Sequence, residues 1–100
     1  MKLAKVIGQV VATVRNDRLG MDKLVLVKFI DQTGAEDPAV AVAVDKLGAG
    51  EGEWVLLVAG SSARVAAGAD AQTPVDLSVV GIVDEVTSER QSWFHKNGQS

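Results

Sequence analysis

The sequence predicts an all-β domain: a small, closed or nearly closed antiparallel barrel with one short helix. Three observations predict it. Apolar runs of strand length recur with a period of two, and clusters of Gly, Pro, Asn and Asp separate them. The core must also be aliphatic, because 47% of the 100 residues are hydrophobic but only 4% are aromatic. That length suits one domain over residues 1–100, large enough for a single core.

Residues 2–15 read as the first strand. Its even positions, from Ala4 and Val6 to Val14, are all small or apolar, while Lys5, Gln9, Thr13 and Arg15 fall on the odd face. Residues 16–20 carry turn chemistry. Residues 22–31 form the second strand and break the simple alternation. Leu24, Leu26 and Ile30 lie on one face, and Val25, Val27 and Phe29 on the other. Polar turn signals occupy residues 32–37, and Pro38 can open a strand, where a missing donor costs least. Residues 39–45 alternate strictly, which predicts a valine face in the core and an alanine face for close approach by a neighbour.

The glycine loop at residues 48–52 feeds the aromatic and β-branched run 54–58, a strand by composition. Gly60 ends that strand. Ser61 or Ser62 then caps a brief helix over residues 63–67, with Gly68 as its stop. A small polar linker at 68–72 and a rigid turn at 73–76 lead to the last long strand, residues 77–86. Val79, Gly81 and Val83 face one way there, and Val80, Ile82 and Val86 the other. Residues 91–96 add a short edge strand, on which Trp93 and Phe94 serve as an edge contact or an interface anchor.

Charge and composition exclude several functions. The formal net charge is −3, and the lysines and arginines are scattered singly, which argues against a nucleic-acid partner. No cysteine is present, so disulfides and thiolate metal sites are excluded. The N-terminus lacks a signal-peptide apolar region, and no segment nears the roughly 20 apolar residues of a membrane span. The chain is expected to be soluble and cytoplasmic.

Catalytic readings fare no better. The glycine loop precedes a strand instead of a helix, lacks a following Gly-Lys-Ser/Thr, and carries Glu51 and Glu53, which repel anions. His95 stands alone, too little for zinc or for a serine nucleophile at Ser61 or Ser62. Asp84 and Glu85 are adjacent and so point to opposite faces of a strand. Asp31, Asp45 and Asp76 sit at strand ends or turns, where aspartate satisfies local backbone donors. Trp54 reads as a core residue. No enzyme site and no cofactor emerge.

What remains is self-association. Two strands are apolar on both faces, and soluble monomers rarely expose a contiguous apolar patch, although a covering loop or helix gives the same pattern. Arg64 can hold a carboxylate bidentately, with Asp76 as a partner within or between subunits. The alternative for Arg64 is a solvated surface position.

Residues 1–13, 22–27, 48–64, 73–76 and 79–84, in that order, resemble the EutN/CcmL family of bacterial microcompartment vertex proteins, with a lean towards the ethanolamine-utilisation branch. The likeness spans nearly the whole chain. It implies a five-stranded, OB-like β-barrel forming homopentamers that cap the vertices of a polyhedral shell within the cytoplasm, beside hexameric shell proteins. In such a head-to-tail ring two different patches must match. Val25, Val27, Ser61, Ser62, Val79, Gly81 and Val83 are the expected contacts, with Arg64 and Asp76 fixing register. Gly48, Ala49, Gly50, Glu51 and Gly52 are weaker candidates to line the central axis, where bulky residues would not fit. The competing reading is an OB module that binds nucleic acid or a small ligand.

Overall fold

A computed structural model describes residues 1–13, 15, 22–66 and 76–96, at Arg64 for the backbone alone. The turn expected at 16–20, the linker at 68–72 and most of the 73–76 turn lie outside the described residues. Among the described residues seven strands and one helix follow in order: β1 (Lys2–Val10), β2 (Lys23–Ile30), β3 (Glu36–Asp45), β4 (Trp54–Ala59), α1 (Gly60–Ala66), β5 (Leu77–Ile82), β6 (Glu85–Ser88) and β7 (Gln91–His95). β1 stops at Val10, short of the expected Arg15. The strand expected over 77–86 breaks into two around a bend at Asp84.

Five strands close a barrel in the order β1-β2-β3-β5-β4, and β6 and β7 form a separate hairpin. Four of the five barrel pairings are antiparallel, and β3 runs parallel to β5. Parity dictates this. An odd number of strands cannot alternate direction all the way round a ring, so one neighbouring pair must run the same way. Here that pair is short, with Val44 opposite Ser78 and Asp45 opposite Val79.

The barrel interior holds Ala4, Val6, Val25, Val27, Ala43, Val55, Leu57 and Val79, with Ala49 of the glycine loop buried among them. A second cluster, Leu24 and Val44 against Ala63, seats α1 on the barrel. Gly60 opens the helix in place of a serine cap. Its φ of 63° suits glycine, and its N–H donates to the Asp76 carbonyl at 3.0 Å.

β3 reverses the expected orientation. Val25 stands opposite Ala43 and Val27 opposite Ala41, so the alanines face the bore. Val40 and Val42 point outward and are 49% and 43% exposed. Volume explains the reversal: valines and leucines from the other strands fill a narrow bore, and only small side chains fit opposite them.

Bulges also shift the phase of three strands. Ile7 is extra between the pairs Val6–Val27 and Gly8–Leu26. Asp37, Pro38 and Ala39 stand against Phe29 alone, so Pro38 sits inside a bulge, where its missing N–H breaks no ladder bond. Val80 is extra between Leu57–Val79 and Leu56–Gly81. That lets both Val79 and Ile82 pack on the core, which strict alternation forbids.

Candidate functional site

The glycine loop is built from within by two carboxylates. Asp45, almost fully buried, accepts backbone N–H bonds from Leu47 (2.8 Å), Gly48 (3.1 Å) and Ala49 (2.8 Å). This is the local donor-satisfying use of aspartate expected from sequence, and Asp31 serves Thr33 and Ala35 in the same way. Lys23 Nζ donates to the Ala49 carbonyl at 2.7 Å and lies 3.8 Å from Asp45 Oδ2. Glu53 accepts from the Gly50 N–H at 2.7 Å through Oε1 and pairs with Lys96 Nζ at 2.7 Å through Oε2.

Glycine at 48 and 52 answers to φ values of 84° and 90°; a Cβ at either would meet only open space. Crowding is therefore not the reason for these glycines. Ala49 is wholly buried, which removes it as an axis-lining residue, while Gly48, Glu51 and Gly52 stay exposed.

The hairpin is fastened beside this loop. Trp54 stacks on Phe94 with ring centroids 4.2 Å apart and 15° between planes. A Cβ at Gly34 would lie 2.7 Å from the Trp54 ring, so only glycine fits beneath it. Trp54 is buried, as expected of a core residue, but it lies between the hairpin and the β2–β3 turn, which it clamps, and not among the residues of the barrel interior. The Val83 N–H donates to the Trp54 carbonyl at 2.8 Å. The hydrogen bond from Lys96, then that from the Gly50 N–H, holds the Glu53 carboxyl below its ordinary value. The same Glu53 contact raises Lys96.

Three of the expected contact residues are corrected by this geometry. Val25 and Val27 are 0% exposed inside the single barrel, and Val79 is buried there too. Side chains already packed in one chain have no area left for another. Gly81 is half-buried, with its Cα edge against Leu56. Val83 lines a cleft with Leu3, Leu56 and Val86.

Ser61 and Ser62 are exposed and flank a groove of about 370 Å³ formed with Met1, Val58, Val65 and Val80. Asp76 is exposed, and its carbonyl accepts the Gly60 N–H at the start of α1. The Arg64 side chain, and with it any Arg64–Asp76 pair, lies outside the described residues.

Sequence reasoning missed the outward valines. Val40 and Val42, with half-buried Leu26 opposite Val42, make one apolar flank on β2 and β3. The α1 groove makes a second on β4 and β5. In the cyclic strand order the two flanks lie on neighbouring strand pairs, which meet at the short β3–β5 contact. Among the described residues no group of three acidic, His or Cys side chains could hold a metal ion, and no described helix is long and apolar enough to cross a membrane.

The fold and surface define a closed five-stranded barrel that carries apolar flanks on its outside. Comparison supplies the family. Residues 1–84 match the family model described as ethanolamine utilisation protein EutN/carboxysome. The shell vertex protein EutN of Escherichia coli (strain K12) is 58% identical over 96 residues, covering 96% of this chain and all of the relative. A solved structure of Gloeobacter violaceus CcmL superposes with a TM-score of 0.90 at 37% identity, covering 98% of this chain and all of that one. The pentameric microcompartment shell protein GrpN from Rhodospirillum rubrum gives a TM-score of 0.78 at 42% identity, over 88% of this chain and 99% of that one. This chain belongs to the EutN/CcmL family of microcompartment shell vertex proteins, which are structural proteins and not enzymes.

Proposed function

We propose that this chain forms a homopentamer that closes the corners of a bacterial microcompartment shell, flanked there by hexameric shell proteins. The observation that carries the reading is the outward valine flank. Val40 and Val42 are about half exposed on a barrel whose interior is already full. Full burial of a valine is worth about 1.5–3 kcal/mol, so covering the remaining half of each gains about 1 kcal/mol per side chain.

A head-to-tail ring joins two unlike patches on every copy. The β2–β3 flank and the α1 groove are two such patches. Ser61, Ser62, Gly81 and Val83 are candidate contacts within this scheme, Arg64 and Asp76 candidate register elements, and Gly48, Gly50, Glu51 and Gly52 candidates for the axis. Hexagonal units alone tile a flat sheet, and five-fold units introduce the closure a polyhedron needs. A nucleic-acid role is disfavoured by the net charge of −3 and by the pairing of Lys5, Lys23, Lys28, Lys46 and Lys96 with carboxylates.

Light scattering coupled to size exclusion tests the assembly: a mass of five subunits is expected, and a monomer at all concentrations overturns the reading. Deleting the protein from a host that makes the shell should give elongated or unsealed bodies.

A further inference from the structure

The β6–β7 hairpin pairs with no strand of the barrel. It begins just past residue 84, where the family match ends, in a molecule 45 Å long but only 24 and 23 Å across. Its tip is a two-residue turn, Glu89 and Arg90, closed by the Ser88–Gln91 pair. Both residues hold a left-handed backbone, with φ of 54° and 65°. Such turns favour Asn-Gly, because a Cβ at positive φ crowds the following carbonyl. At the other described positions with positive φ, Gly34, Gly48, Gly52 and Gly60, the residue is glycine. The tip therefore keeps two exposed, charged side chains in a conformation that glycine and asparagine adopt more readily.

Arg90 is also distinctive in having no partner among the described residues. Lys5, Lys23, Lys28, Lys46 and Lys96 face carboxylates. Lys2 lies over the Phe29 ring, and Arg15 donates to the Asp22 carbonyl. Among the described side chains, Arg90 is the cation left without a partner.

We propose that the hairpin is an arm by which one copy grips the next, its Arg90 pairing with Asp37 of the neighbouring copy. The inference rests on the assembly proposed above. Asp37 is exposed at the start of β3, beside the Val40–Val42 flank, and its Oδ1 accepts the Ala39 N–H at 2.8 Å. The adjacent Glu36 is already held by Lys5 and Lys28.

Head-to-tail contact joins different faces of the chain. That sets aside Asp84 and Glu85 at the root of the arm, and Glu51 beside the Glu53 that binds Lys96. It also sets aside Asp76, whose carbonyl is bonded to Gly60 on the β4–β5 side from which the arm springs.

A dilution series followed by light scattering tests the pairing. Arg90→Glu and Asp37→Arg should each raise the concentration at which rings half-dissociate by about fivefold, the upper range for an exposed ion pair. The double variant should return close to the wild-type value. Rings of Arg90→Glu as stable as wild type, or a double variant no better than either single one, overturn the proposal.

The variant Glu89→Asn/Arg90→Gly guards against misfolding. It should melt no lower than wild type as a subunit and still weaken the ring as Arg90→Glu does; an unweakened ring counts against the arm. A wild-type chain that forms no ring fails the assembly reading itself. A normal wild-type ring indifferent to these variants fails the arm alone.

Discussion

The two faces of β3 invert the usual order of a soluble strand. Ala41 and Ala43 face the bore, while Val40 and Val42 face outward. The inner face answers to the volume left by Val25, Val27, Val55 and Leu57 on other strands. The outer face has no such limit: α1 covers it at Val44, and it is left about half bare at Val40 and Val42. The contrast teaches that residue size reports the bore while residue polarity reports the partner.

The contrast breaks or sharpens under substitution. Leu57→Ala, in the filled bore, should lose about 2–5 kcal/mol of subunit stability, read from the urea midpoint. Asp45→Ala leaves the N–H groups of Leu47, Gly48 and Ala49 without their acceptor, and should cost about 1–3 kcal/mol in the same assay. Val42→Lys, on the outer face, should change subunit stability by no more than about 0.5 kcal/mol yet abolish the ring in size exclusion. A loss from Val42→Lys as large as that from Leu57→Ala would erase the distinction between the faces.

The smallest effect concerns pH. Glu53 is held below its ordinary value of 4.5, so its contribution is present above that value and fades as pH falls through the lower folded one. Lys96 is raised above 10.5, so its contribution is complete below that value and fades as pH rises through the higher folded one. The hairpin should be fastened at neutral pH and loosen at both extremes, seen as a change in tryptophan fluorescence. Glu53→Gln should flatten the acid limb.

Much of the fold was legible in the residues. The run 22–31 gave β2 to within a residue at each end, and the aliphatic composition gave the barrel. Which face of β2 points inward was not legible, because both are apolar and a period of two does not name the core side. Val25 and Val27 were therefore expected at a contact and lie in the bore. β3 was reversed for a related reason, since bore volume is a property of all five strands together. The bulges at Ile7 and Val80 defeat any phase read by counting. Nothing local marks Glu89 and Arg90 as a turn of left-handed residues, because that conformation is normally written Asn-Gly.

Val6, Val25, Val27, Val55 and Leu57, with Ala49 lodged among them, leave the inside of each subunit solid. A small metabolite meeting this protein is thus offered no conduit along the axis of an individual barrel. Whatever permeability a shell corner has must arise where copies adjoin, which places selectivity under the control of assembly geometry instead of subunit architecture.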